Sequence, residues 1–147
     1  MEELGVINNR KLSYQKYATD INWEQAPPNS NWVAVVVVND SNRSVLRELS
    51  NKLINSNACY VCCAGLQSEL LHDMIDDEIV FREVDIENSH LPPFDIITTW
   101  DTNIDDALWY AVFTAKHDTE IIDVVVCSDT TNLDIEERVR ILKEPIK

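Results

Sequence analysis

Glycine is scarce in this sequence: only Gly5 and Gly65 occur among 147 residues. Loops that hold the phosphates of a nucleotide need several glycines, because the backbone turns tightly there and presents its N–H groups to the anion. The patterns GxGxxG, GxxxxGK[ST] and GxSxG are all missing. The sequence therefore argues against the standard Rossmann and P-loop nucleotide sites and against the nucleophile elbow of α/β-hydrolases.

Long hydrophobic runs are missing as well. No stretch approaches the roughly 18 apolar residues that a membrane-spanning helix needs. The first residues, MEELGVINNRK, lack the apolar region of a signal peptide. We therefore expect a cytoplasmic protein.

Histidine and cysteine do not have the spacing of a zinc site. The histidines are His72, His90 and His117, and the cysteines are Cys59, Cys62, Cys63 and Cys127. Cys59 and Cys62 form a CxxC pair, but they lie in an apolar run typical of a strand, where residues three apart point to opposite faces. We expect four buried, reduced thiols that behave as small hydrophobic residues, and no cofactor.

Short apolar runs alternate with segments of helical periodicity. The runs cover residues 32–38, 58–64, 94–98 and 121–127, and the helical segments cover residues 44–54, 68–79, 104–116 and 134–142. The first and last runs are almost continuous in β-branched side chains, which is typical of parallel strands covered on both faces. The sequence predicts a single three-layer α/β domain over residues 32–147, with about four mainly parallel strands flanked by helices.

Residues 1–31 are predicted to form an N-terminal aromatic arm. Tyr14, Tyr17 and Trp23 stand there among polar residues, and the segment is rich in proline towards its end. We expect this arm to wrap around the domain, with a short helix over residues 13–20.

The stretch 78–86 fits two structures. It either continues the second helix or forms a short alternating strand. We favour the helix and expect it to end near Phe81.

Aspartates follow three of the predicted strands: Asp40, Asp101 and Asp129. Ligands of parallel α/β sheets usually bind beyond the carboxyl ends of the strands, and converging carboxylates suit Mg²⁺. Aspartate at a strand-to-helix turn also caps the N–H groups of the next helix. We favour capping, because no histidine or further acid stands at a fixed spacing from these residues. A small metal-assisted enzyme is the alternative.

Basic residues are few: 12 lysines and arginines stand against 26 acids, which leaves a formal net charge of −14. Residues 67–87 hold eight acids and one base, Arg82, and so contribute −7. The acids are Glu69, Asp73, Asp76, Asp77, Glu78, Glu83, Asp85 and Glu87. A solvated helix face is the plain explanation, but the charge exceeds what solubility requires. Such a field attracts a basic protein and repels nucleic acid and anionic membranes.

The third predicted helix is apolar nearly all the way round. In addition to its core-facing stripe it carries Trp109, Tyr110 and Phe113. An apolar outer face has to be covered, either by the N-terminal arm or by a partner chain, for which tryptophan and tyrosine are favoured anchors. We expect the acidic segment to lie beside this helix.

Charge, size and the absence of catalytic motifs make the chain similar in character to the small cytoplasmic immunity proteins of bacterial toxin–immunity pairs. Many of those are compact acidic proteins that neutralise a basic nuclease by docking acidic side chains on it. The segments LHDMIDD (residues 71–77) and TTWD (residues 98–101) also look similar to a family of small uncharacterised bacterial α/β domains. That second likeness implies the fold and no activity.

The sequence therefore predicts a non-enzymatic binding protein, an immunity-type inhibitor that occludes a basic partner such as a nuclease toxin. The residues predicted to bind this partner are Asp73, Asp76, Asp77, Glu78, Glu83, Trp109 and Phe113. The alternatives are the metal-assisted enzyme and a subunit of a homo-oligomer, for instance a homodimer formed through the third helix.

Overall fold

The computed structural model describes residues 2–16, 28, 30–84, 90–129 and 133–143, which form six strands and four helices. The strands are β1 (Glu2–Ile7), β2 (Arg10–Lys16), β3 (Trp32–Val37), β4 (Tyr60–Ala64), β5 (Ile97–Asp101) and β6 (Asp123–Ser128). The helices are α1 (Arg43–Asn55), α2 (Ser68–Val84), α3 (Ile104–Phe113) and α4 (Ile135–Leu142). In this part of the chain, no helix combines the length and the apolar character that crossing a membrane requires.

The strands form one sheet in the order β1-β2-β6-β3-β4-β5. Every neighbouring pair is parallel except β1 and β2. All residues of β3 are buried, since this strand lies near the centre of the sheet and has helices on both sides. The predicted α/β fold with a mainly parallel sheet is confirmed. The strand count is six instead of about four, because the N-terminal segment supplies β1 and β2.

Helices cover both faces of the sheet and complete the three layers. On one face, Leu49 of α1 and Leu71 of α2 pack into a buried cluster with Trp32. On the other face, Leu108 of α3 and Val139 of α4 pack into a second cluster. Successive side chains of each strand point to opposite faces of the sheet, so they contribute to two separate cores.

The N-terminal residues form a hairpin that extends the sheet. Asn8 and Asn9 make the turn with φ values of 54° and 61°, a left-handed conformation that asparagine tolerates better than most residues. Leu12 is buried, and β2 pairs in parallel with β6 along its whole length after Arg10.

The helix predicted over residues 13–20 is wrong for its first four residues, which belong to β2. The physical reason is that the open edge of β6 takes their backbone N–H and C=O groups into the sheet. Residues 17–20, like Tyr17 and Trp23, lie outside the described residues.

Two other boundaries differ from the prediction. Helix α2 continues to Val84, which confirms a helix in this stretch and extends it beyond Phe81. Strand β5 begins at Ile97, later than the predicted 94–98. Of the residues before it, Asp95 contacts a different part of the chain, since its carbonyl oxygen lies 2.6 Å from Nε2 of His117.

Candidate functional site

Helix α2 presents its acids to the exterior because its inner positions are fixed on the sheet. Leu71 and Ile75 are completely buried, so Glu69 and Asp73, on other sides of the helix, remain exposed. The helix begins three residues after Gly65, whose φ is +92°. A Cβ atom at this position would lie 2.7 Å from the carbonyl oxygen of residue 38, so the turn into α2 requires glycine.

Arg82 points into the protein, although it is the one base among the acids of residues 67–87. Its Nε donates to Glu78 Oε1 at 2.9 Å. Its two terminal nitrogens donate to Asn55 Oδ1 at 2.7 Å, to Asn51 Oδ1 at 3.0 Å and to the carbonyl oxygen of His90 at 2.8 Å. The side chain is 8% exposed. The outer surface of α2 therefore has acids without this base to compensate them.

The five acids predicted to bind a partner do not all face the same way. Asp73 is exposed and lies 3.0 Å from Nδ1 of its neighbour His72. Asp76 faces the edge of the sheet, where it accepts a hydrogen bond of 2.8 Å from Thr98 Oγ1 of β5. Glu83 lines a small cavity beside the loop that leads to β5.

Asp77 and Glu78 face the neighbouring helix α1. They line a groove of about 500 Å³ together with Arg43 and Arg47. The negative surface therefore extends from Asp73 towards β5, and it ends where α1 begins.

Trp109 and Phe113 form an exposed aromatic pair on α3. Their ring centroids are 5.6 Å apart, and they keep 45% and 37% of their surface exposed. They line a groove of about 430 Å³ between α3 and α4, to which Ile141 contributes from α4. Tyr110 is different: its hydroxyl lies 2.6 Å from that of Tyr60 on β4, so it faces the sheet.

The described part of the N-terminal arm covers the end of α3 and leaves its outer face open. Asn8 Nδ2 donates to the carbonyl oxygen of Val112 at 2.8 Å. The guanidinium of Arg10 donates to the carbonyl oxygens of Ala111 and Ala115. The hairpin thus satisfies the free C=O groups at the C-terminus of α3, as helix caps do.

The acidic helix and the aromatic helix lie on opposite faces of the sheet, since the inner residues of α2 and α3 belong to different cores. The expectation that they share one face is therefore wrong. A single sequence shows which residues repeat at helical spacing, but not the side of the sheet to which each connection crosses.

Strand β5 lies between these two surfaces, and the sequence analysis did not predict it to be part of the candidate site. Its Trp100 and Ile97 are 46% and 38% exposed. Trp100 and Trp109 line the same cavity, of about 360 Å³, with Asp101 and Asp106. The predicted strand ends at Thr98, so Trp100 falls outside it, whereas the strand in the structure continues to Asp101.

The strand-end aspartates accept N–H groups of the loops, and they do not cap α1 or α3 as predicted. Asp129 Oδ2 accepts hydrogen bonds of 2.9 Å from the N–H groups of Asn39 and Asp40. Asp40 and Asp101 each accept an N–H group two residues later, at 2.9 and 2.8 Å. Helices α1 and α3 are capped by Asn42 and Asn103, which stand two residues after Asp40 and Asp101.

These aspartates do not converge on one point. Asp129 touches the loop of Asp40, but Asp101 ends β5, two strands and about 10 Å away from β3. Among the described residues, no group of three histidine, cysteine or acidic side chains has the arrangement of a metal site.

The four cysteines are free and buried. Cys59 and Cys62 lie in the same core cluster, contrary to the expectation of opposite faces, because Cys59 precedes β4 and the alternation of a strand does not apply to it. Burial raises the pKa of Cys62 and of Cys127 from the usual 9.0 to about 12. Thiols held in the neutral form are weak nucleophiles, so the chain has no activated cysteine here.

The comparisons with known proteins complete this description. The chain matches no curated protein and no solved structure, so no named relative supports a likeness to immunity proteins. A family model described as a domain of unknown function, DUF7684, matches residues 11–144, and the chain therefore belongs to the DUF7684 family.

Proposed function

We propose that this protein is a non-enzymatic binding protein that occludes a basic protein partner, as an immunity protein occludes its nuclease toxin. The observation that carries the proposal is the inward orientation of Arg82. Because this base is held by Glu78, Asn51 and Asn55, it does not offset the charge of the exposed acids of α2. Acids that repel one another without nearby bases destabilise a free protein, and a basic partner relieves that repulsion.

The loops at the carboxyl ends of the strands support a binding role over catalysis. The N–H groups of Asn39 and Asp40 lie where a parallel sheet usually holds its ligand, next to the point where the connections diverge. Asp129 of the same chain already accepts both of them. Leu66 N–H is likewise taken by Asn39 Oδ1. The donors that would bind a phosphate are therefore used to hold the loops together.

The proposal places the protein in the cytoplasm, where its four thiols stay reduced. Steric and electrostatic occlusion is the mechanism: Asp73 and Asp76 supply the charge, and the aromatic side chains supply apolar anchors. Electrostatic attraction acts before contact, so its main effect is on the rate of association.

A kinetic experiment tests this function. The immobilised protein captures its partner from an extract of its source at low ionic strength, and the purified partner is then used for binding kinetics. We expect the association rate to fall about tenfold or more between about 50 mM and about 300 mM NaCl. The double variant Asp73→Asn/Asp77→Asn should associate more slowly than the wild-type protein at low salt.

The matched control is Glu2→Gln/Glu136→Gln. It removes the same amount of charge from β1, at the other edge of the sheet, and from α4, on the other face. We expect this control to associate nearly as fast as the wild-type protein. Equal slowing by both double variants would mean that only the net charge of the protein matters and not the acids of α2. An association rate that does not change with salt would refute the proposal.

A further inference from the structure

We propose that β5 is the docking edge for this partner, which adds an extended basic segment to the sheet as a further strand. The inference rests on the proposed function and deepens it, since it names the part of the partner that binds and the groups that receive it. Three features of β5 support the inference: the direction of its backbone groups, its regular pairing without a bulge, and the charge on both sides of the strand.

The backbone of β5 has a row of groups directed away from the sheet. On one side β5 pairs with β4, and no described strand lies on its other side. Ile97 N–H donates to the carbonyl oxygen of Cys59 at 3.2 Å, which directs residue 97 towards β4. Because these directions alternate along a strand, the N–H and C=O groups of Thr98 and Trp100 point to the free edge.

The two edge strands of the sheet, β1 and β5, differ in their protection against pairing with another strand. The edge strand β1 carries Glu2 and Glu3, and its pairing with β2 is interrupted by a bulge between Glu3 and Gly5. Charges and bulges are the usual protection of a sheet edge against another strand. Strand β5, with the sequence ITTWD, has no lysine, proline or bulge, its one acid is the terminal Asp101, and its Trp100 is exposed. A regular edge strand with exposed apolar side chains is a template for strand addition.

Acids flank this edge on both faces of the sheet. On the side of α2, Asp76 is hydrogen-bonded to Thr98. On the side of α3, Asp101 and Asp106 line the cavity that Trp100 and Trp109 share. A strand added to β5 would therefore meet negative charge on either face and apolar surface next to it. This combination fits a segment that mixes basic and apolar side chains, and it opposes a second copy of the chain, whose net charge is −14.

The test uses the full-length protein and a defined probe, a capped eight-residue peptide of alternating lysine and valine. Thr98→Pro removes the outward N–H group of residue 98 without touching the bonds between β5 and β4. Thr98→Val is the matched control, because it also loses the hydrogen bond to Asp76 but keeps the N–H group. We expect Thr98→Pro to weaken peptide binding about tenfold and Thr98→Val to weaken it less than about twofold.

A second measurement guards against misfolding of the proline variant. The wild-type protein is titrated with the same peptide carrying N-methyl groups on alternate residues, which keeps its charge but prevents pairing. We expect the unmodified peptide to slow hydrogen exchange at Thr98 and Trp100, and the methylated one to bind at least about tenfold more weakly. Equal binding of both peptides, or no binding of either, would overturn the inference.

The outcomes also separate this inference from the proposed function. If Thr98→Pro binds the natural partner like the wild-type protein while Asp73→Asn/Asp77→Asn does not, the function stands and the edge is not used. If the proline substitution instead abolishes a concentration-dependent dimer, the edge belongs to a second copy and the inference is wrong. If the acidic variant behaves like the wild-type protein, the proposed function fails whatever the peptides show.

Discussion

The direction of the Arg82 side chain does not follow from its neighbours in sequence. It stands among acids on an outward helix, yet its side chain is directed inward and joins α2 to α1 and to the loop at His90. A buried guanidinium keeps its charge, so it is stable only when nearly all its donors have partners. Here one carboxylate, two amide oxygens and a carbonyl oxygen supply them. The residue therefore contributes to stability and withholds its charge from the surface.

Replacement of this side chain should be costly. We expect Arg82→Met to lower the free energy of unfolding by about 3 kcal/mol, because it leaves the acceptors on Asn51, Asn55 and Glu78 unpaired. Urea denaturation measures the loss. The control Arg47→Met, at an exposed position of α1, should stay within about 0.5 kcal/mol of the wild-type protein. Equal stability of both variants would contradict a structural role for Arg82.

The raised pKa values of the buried thiols predict a change in stability at alkaline pH. Burial raises the pKa of Cys62 and of Cys127 to about 12, above the usual 9.0 of an unfolded chain. Between about pH 9 and about pH 12, the unfolded state loses these protons first and is stabilised. We therefore expect the free energy of unfolding to fall as pH rises through this window, by about 1 kcal/mol per pH unit for each thiol at the steepest point.

Denaturation of the wild-type protein and of Cys62→Ala/Cys127→Ala at a series of pH values checks this slope. Tyr60, whose pKa is also raised by burial, contributes to both proteins alike. The double variant should lose stability less steeply above about pH 9. Parallel curves would show that the two thiols ionise as freely in the folded protein as in the unfolded chain.

At the scale of elements, the N-terminal hairpin does two things at once. It pairs with β6 and so covers an edge of the parallel sheet, and its Asn8 and Arg10 donate hydrogen bonds to carbonyl groups in the last turn of α3. A cation near a helix C-terminus is favoured by the helix dipole as well. The hairpin and α3 should therefore open together, although about a hundred residues separate them in sequence.

The Arg10→Met variant tests this coupling. We expect a loss of about 2 kcal/mol in the free energy of unfolding, since the carbonyl group of Ala111 in α3 and that of Ala115 just after it lose a charged donor. Hydrogen exchange should speed up in the last turn of α3 as well as in β2. Lys11→Met is the control, because the ion pair of Lys11 with Glu3 is solvent-exposed and its loss should change neither property noticeably. Faster exchange confined to β2 would show that the hairpin does not hold the helix.

At the scale of the molecule, charge is distributed unevenly over the sheet and its edges. Acids of α2 lie on one face, those of α3 on the other, and β5 runs between them at an edge with exposed tryptophan. The face formed by α1 is less negative, because Arg43 and Arg47 stand opposite Asp77 and Glu78. The acids of α2 together with Asp101 and Asp106 therefore lie around one edge of the sheet, which gives the molecule a direction of approach for a basic partner.

Self-repulsion at this edge should make the free protein sensitive to salt. We expect the free energy of unfolding to rise by about 1 kcal/mol when NaCl increases from about 10 mM to about 300 mM, because screening weakens repulsion between exposed acids. The variant Asp73→Asn/Asp77→Asn should respond less, and Glu2→Gln/Glu136→Gln should respond like the wild-type protein. Denaturation at the two salt concentrations measures this. A wild-type protein indifferent to salt would mean that its acids do not repel one another appreciably.

Some of the candidate surface was visible in the sequence. Asp73 and Trp109 are exposed as predicted, because each lies at a helix position away from an apolar stripe that periodicity identifies. Trp100 was missed because β5 is short and half-exposed, so its alternation is weak. The inward direction of Arg82 was also not predictable, since its acceptors come from α1 and from the loop before β5.

What followed from local sequence was the class of the fold and the approximate position of its central elements. Runs of β-branched residues and helical periodicity are properties of neighbouring residues, so one chain is enough to read them. Only the tertiary structure decided the sides and edges: α2 and α3 cover opposite faces, the N-terminal residues extend the sheet, and β5 is the last of the described strands at one edge. These features depend on the crossover taken by each connection and on pairing between distant segments, and no local pattern records either.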